Sequence, residues 1–87
     1  MDKIMIKNQI VDIIEKKIGI EKENILRYAT EYSLFDPLIG MKPRDLLTLF
    51  FEIQKVYKIA FQESDILNRR FDYLDGIVEA VAEKKAV

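Results

Sequence analysis

The chain of 87 residues sets 14 lysines and arginines against 15 aspartates and glutamates, a net charge of −1, and contains neither cysteine nor histidine. Disulfides, thiolate metal sites and cysteine nucleophiles are therefore excluded, and the commonest general base and transition-metal ligand is absent. The size suits one domain, residues 1–87, with a single core, and the near-neutral balance leaves no basic footprint for nucleic acid.

Asp2 is placed to cap a first helix over residues 3–18, in which Ile6, Ile10, Ile13 and Ile14 recur at helical spacing with Ile18 near the end. Gly19 suits the position just past that helix, and Lys16 and Lys17 complement the negative end of its dipole. Charged residues interrupt the early isoleucines, so the start does not read as a signal peptide. The apolar runs are too short to span a bilayer, and a soluble cytoplasmic domain without membrane insertion is expected.

Residues 20–42 read as a long connection. Ile20, Ile25 and Leu26 are expected to anchor it to the core, with Glu21, Lys22, Glu23 and Asn24 as a solvated stretch between them. Tyr28, Tyr32, Leu34, Phe35, Leu38 and Ile39 make its second half unusually apolar, and Pro37 and Gly40 break it into turns. A structureless segment of this length is uncommon in a small domain, so a short helical turn near residues 31–35, packed over the core, is expected.

The stretch from Gly40 to Tyr57 is the centre of the chain. Pro43 suits a first helical position, where its fixed φ fits and its missing N–H would have had no partner. Asp45 faces the positive end of the dipole one turn in. At about 100° per residue, Leu46, Leu49, Phe50, Ile53, Val56 and Tyr57 fall into one broad apolar arc. Leu47 and Phe51, one turn apart, fall outside it. They are either covered by the preceding loop or exposed, and in so short a chain exposure is expected. An exposed apolar pair with a polar rim, here Arg44, Thr48, Gln54 and Lys55, has the character of a docking surface.

Beyond that helix, Lys58 to Gln62 is expected to be extended, with Ile59 and Phe61 inward. Ser64 would cap a short helix over residues 65–69 that buries Ile66. Arg69 and Arg70 are a weak nucleic-acid signal that a solvated turn explains better. Asp72 would cap the last helix, with Asp75 at its third position as a weak capping box. Leu74, Ile77, Val78 and Val81 define its buried face. Gly76 weakens it, which would suit a close approach by another element. Residues 83–87 are expected to fray.

Long helix, long loop, central helix, short helix, final helix is the order of the acyl carrier protein fold, and several segments resemble that family. Residues Ile10 to Ile25 look like its first helix and the V/I-x-x-I-I-x-x-x-L-G-V ending. Ala29-Thr30 is similar to the A-S or A-T pair of the following loop. Phe50 to Ile59 resembles the second-helix ending M-x-L-E-E-x-F-x-I, and Phe71 to Val78 resembles the I-x-T-V-x-x-A-I start of the last helix. The resemblance implies an all-α, carrier-like bundle of three main helices and a short one.

The departures bear on function. Carrier proteins place Asp-Ser-Leu at the head of the second helix, and that serine holds the phosphopantetheine arm. Here the place reads Lys42-Pro43-Arg44, and proline has no hydroxyl to form a phosphodiester, so no cofactor is expected. The chain has two serines, Ser33 and Ser64. Ser33 is followed by Pro37 and Gly40, which prevent a long helix from starting there, and Ser64 heads a segment too short to be the second helix. Residues 42–58 also carry Lys42, Arg44, Lys55 and Lys58 against Asp45 and Glu52, a net of +2, whereas the second helix of ordinary carrier proteins is acidic. Complementary potentials select partners, so enzymes of fatty-acid synthesis should dock poorly. The run from Pro43 to Ile53 resembles a group of carrier-like proteins found with bacterial ribosomal-peptide (bacteriocin-like) maturation systems.

The expected function is a non-enzymatic adaptor for a peptide-modifying enzyme, peptidase or exporter. Leu47 and Phe51 would be its anchors, Thr48 part of their rim, and Arg44 and Lys55 would steer an acidic partner. The alternative is a working acyl or peptidyl carrier attached through an unconventional residue such as Ser33 or Thr48. An enzyme is disfavoured: Asp12 with Glu15, and Glu79 with Glu83, read as solvated helix pairs, and no phosphate loop, metal spacing or nucleophile elbow is present. Self-pairing through Leu47 and Phe51 stays open.

Overall fold

The Asp2 carboxylate accepts the Ile4 N–H at 2.9 Å and starts the first helix, α1 (Lys3–Ile13), as a capping aspartate should. The computed structural model describes residues 2–62, 64 and 70–86, and among these it contains helices and turns but no strand. α1 passes directly into a π-helical turn, Ile14–Ile18, which closes with the Gly19 N–H on the Ile14 carbonyl at 3.0 Å. Gly19 takes φ +91°, a left-handed conformation that favours glycine. The helical span expected over residues 3–18 is thus present, with its last turn widened.

Among the described residues three further helices are delimited, α2 (Lys22–Tyr28), α3 (Pro43–Tyr57) and α4 (Leu74–Ala86), with a 3-10 turn at Arg70–Asp72 before α4. α1 packs against α4, α2 and α3, and the π turn packs against α3. Between them Ile6, Ile10, Val11, Ile14, Leu49, Ile53, Leu74, Ile77 and Val81 are almost fully buried. Complete burial of a side chain of this size stabilises by about 1.5–3 kcal/mol, so these positions hold the bundle together. The chain is a small all-α bundle.

Phe50, Phe61 and Phe71 meet in a three-way aromatic cluster, with ring centroids 4.6 Å apart for Phe50–Phe71, 5.0 Å for Phe61–Phe71 and 5.7 Å for Phe50–Phe61. The largely edge-on geometry sets ring edges against ring faces, as aromatic quadrupoles prefer. Ile59 and Phe61 are half-buried against the core as expected, but the extended run expected from Lys58 fails at its first residue, which is left-handed. Their path is set at α3's end: Lys58 turns left-handed at φ +55°, Ile59 N–H donates to the Gln54 carbonyl and Phe61 N–H to Gln54 Oε1. Ser64 is exposed. The short helix expected at residues 65–69, the burial of Ile66 and the placement of Arg69 lie outside the described residues.

Several expectations need correction. The connection at 20–42 is not a plain loop, because Lys22 to Tyr28 form α2. Its inward residues are Ile25, Tyr28 and Ala29, spaced i, i+3, i+4, but the polar run before them masks so short a pattern. Leu26 points outward from α2, and Tyr32 and Leu38 are also exposed rather than covering the core. Near residues 31–35, where a short helical turn is expected, the chain forms isolated hydrogen-bonded turns, with Tyr32 N–H on the Tyr28 carbonyl and Asp36 N–H on the Ser33 carbonyl.

Val56 is exposed too, because it lies roughly 70–80° from the centre of the stripe that α3 buries. Asp72 does not cap the last helix: α4 begins at Leu74, and Ile77 N–H bonds back to the Tyr73 carbonyl. The Asp72 carbonyl instead accepts the Leu34 N–H at 2.7 Å. Residues 83–86, expected to fray, are helical, since α4 continues to Ala86, and Lys85 Nζ donates to the Tyr57 carbonyl at 3.2 Å. That bond satisfies one of the orphan carbonyls at the end of α3.

Candidate docking face of the central helix

α3 begins as its sequence dictates. Lys42 is extended at φ −107°, ψ 158°, and Pro43 follows at the first helical position. Asp45 Oδ2 accepts the Lys42 N–H at 3.0 Å, which is the return half of a capping box. Lysine has no acceptor with which to complete it. The Asp45 N–H bonds to the Lys42 carbonyl at 2.9 Å and closes the first turn.

The helix then separates two faces. Leu49, Phe50, Ile53 and Tyr57 are buried and Leu46 is half-buried against the core. On the other side Leu47 is 57% exposed and Phe51 71% exposed. At about 100° per residue, Leu47, Phe51, Arg44, Lys55 and Thr48 share an arc of roughly 100°, opposite the buried stripe. All five are exposed. The structure therefore brings the expected docking residues onto one face. Gln54, expected in the rim, is half-buried and its side-chain oxygen is used by Phe61 N–H.

The electrostatics of this face are simple. Among the described residues neither Arg44 nor Lys55 makes an ion pair. Arg44 stands in the first turn, where the helix dipole disfavours a cation, so its charge does not serve the helix. Asp45, next to Arg44 in the chain, is turned back to the Lys42 N–H. Thr48 Oγ1 donates to the Arg44 carbonyl at 3.4 Å, which folds the hydroxyl onto its own helix. Ser33 Oγ accepts the Phe35 N–H at 3.1 Å within a turn of the connection, far in the chain from the head of α3.

The carboxylate pairs lie elsewhere and have structural partners. Lys22 Nζ bonds to Asp12 Oδ1, and the Lys22 N–H donates to Glu15 Oε2 at 2.9 Å. The hydrogen bond to Lys22 holds the Asp12 carboxyl below its ordinary range, and the same bond raises Lys22. Glu79 Oε1 pairs with Lys3 Nζ at 2.8 Å, and that bond raises Lys3. Glu15, Glu21, Lys22 and Glu23 line a shallow depression where α2 begins. No three carboxylates among the described residues are grouped to hold a metal ion. The Asp12–Lys22–Glu15 corner escaped the sequence reading, since a contact between residues 7 and 10 apart on two helices leaves no local pattern. No described helix is long and apolar enough to cross a membrane. No family model, curated protein or solved structure matches the chain.

Proposed function

We propose that this chain is a non-enzymatic, carrier-like adaptor that docks a peptide-maturation enzyme or exporter through α3. The observation that carries the reading is the exposed pair Leu47 and Phe51, flanked on the helix that starts at Pro43 by Arg44 and Lys55, which make no ion pair among the described residues. The resemblance to carrier proteins supplies the functional class. Proline at the attachment position argues for a carrier fold used without its arm.

Leu47 and Phe51 would enter the partner, and Arg44, Thr48 and Lys55 would surround them. Burying two partly exposed side chains is worth roughly 2–4 kcal/mol before the cost of association. Such a contact is transient unless a second surface joins it, which suits an adaptor that exchanges partners.

Affinity capture from the native cell tests the reading, with Phe51→Arg as control bait and thermal unfolding recorded for both proteins. The wild type alone should retain peptide-modifying enzymes, a peptidase or a peptide exporter, and the two melting curves should nearly coincide. A large loss of stability in Phe51→Arg would place Phe51 in the core and end the docking reading. Recovery of acyltransferases or ketosynthases, with a phosphopantetheine added on treatment with coenzyme A and a transferase, would favour a working carrier attached through Thr48 or Ser33.

A further inference from the structure

Resting on the docking reading, we infer that the partner of α3 is an acidic-rimmed apolar cleft on a different protein: two adjoining pockets flanked by carboxylates at both ends. The order along the exposed face carries this. Arg44 precedes the apolar pair and Lys55 follows it, and both are exposed without an ion pair among the described residues. Leu47 and Phe51, four residues apart, bring their side chains within about 5–6 Å of each other. Arg44 and Lys55 are eleven residues apart, about 16 Å along the axis. A complementary surface needs negative potential at both ends of that span and apolar walls between.

A second copy of the chain does not meet this description. Antiparallel two-fold pairing on this face sets each Arg44 beside the other copy's Lys55, and parallel pairing sets each cation beside its own counterpart. Like charges meet either way, and such juxtaposition is costly. An anionic lipid surface supplies the charge but not the shape. Interfacial helices present a broad apolar face, whereas this one presents two side chains with Thr48 among them.

The test is an NMR titration of the isotope-labelled protein with two synthetic helical peptides that share one Leu/Phe seam, one flanked by glutamates and the other by lysines. Peptide with glutamate flanks should shift the amides of Arg44, Leu47, Thr48, Phe51 and Lys55 and bind at least tenfold more tightly at low salt. That preference should shrink at high salt and reverse in the double variant Arg44→Glu, Lys55→Glu, whose unchanged spectrum elsewhere shows it to be folded. If both peptides bind this face equally, and Phe51→Arg abolishes both, the docking reading survives and the acidic cleft is overturned. If neither peptide shifts these amides, both are overturned. If vesicles of phosphatidylglycerol broaden the same amides while the peptides do not, the partner is a lipid surface and the cleft is likewise overturned.

Discussion

Phe50 and Phe51 are neighbours with opposite roles. Phe50 is 4% exposed and meets Phe61 and Phe71, whereas Phe51 is 71% exposed on the far side of the same helix. Replacing Phe50 by alanine leaves a cavity in the aromatic cluster and should cost about 3–5 kcal/mol. Replacing Phe51 by alanine removes a solvated ring and should stay within about 0.5 kcal/mol. Urea unfolding measures both as a shift in midpoint at constant slope. Comparable losses at the two positions would refute the assignment of faces. One residue of helical rotation separates these outcomes, and the sequence already shows it, because Leu46, Leu49, Phe50, Ile53 and Tyr57 define an inward direction that Phe51 does not share.

At the scale of elements, α2 depends on what lies beneath it. A helix of 7 residues is too short to persist alone. Its first N–H is capped by Glu15, Lys22 is held by Asp12, and Ile25 is fully buried. The Asp12–Lys22 pair also has a pH signature. Asp12 is lowered, so its contribution is present above the ordinary value of 3.8 and is lost as pH falls through its depressed value. Lys22 is raised, so its contribution is present below 10.5 and is lost as pH rises through its elevated value. Both groups are open to solvent, and screening keeps the effect on stability small. The titration itself is the sensitive measurement. Following the Asp12 carboxyl carbon by NMR, Lys22→Gln should move its midpoint back up toward 3.8. An unmoved midpoint would mean that the pair does not form in solution.

At the scale of the whole molecule, the connection before α3 is part of the core. Leu34 is fully buried, and Ile39 and Met41 are nearly so. Leu34 N–H donates to the Asp72 carbonyl at 2.7 Å, and Met41 N–H returns to the Leu34 carbonyl at 3.1 Å. These bonds tie the connection to the 3-10 turn ahead of α4. The far end of α3 is held by Tyr57 O–H on Gln9 Oε1 of α1 and by Lys85 of α4 on the Tyr57 carbonyl. With both ends fixed, α3 offers its outer face on a rigid support. Amide hydrogen exchange tests this closure. The Leu34 amide should exchange as slowly as core amides of α1 and α3, since opening it breaks a long-range bond. Exchange at the rate of an exposed turn would show that the connection opens independently.

What the sequence alone determined is whatever repeats at helical period: α1 with its Asp2 cap and Gly19 stop, the buried stripes of α3 and α4, and the displacement of Leu47 and Phe51 from the first of these. Those features depend on residues three and four apart, which local geometry brings together whatever the rest of the chain does. Tertiary structure decided the remainder. It made a helix of residues 22–28, joined Phe50, Phe61 and Phe71, left Val56, Leu26 and Leu38 outside, and gave the Asp72 carbonyl to Leu34 instead of a helix cap to Asp72. Each of these depends on which neighbour covers a face or supplies a partner. That neighbour lies far along the chain, where periodicity carries no information.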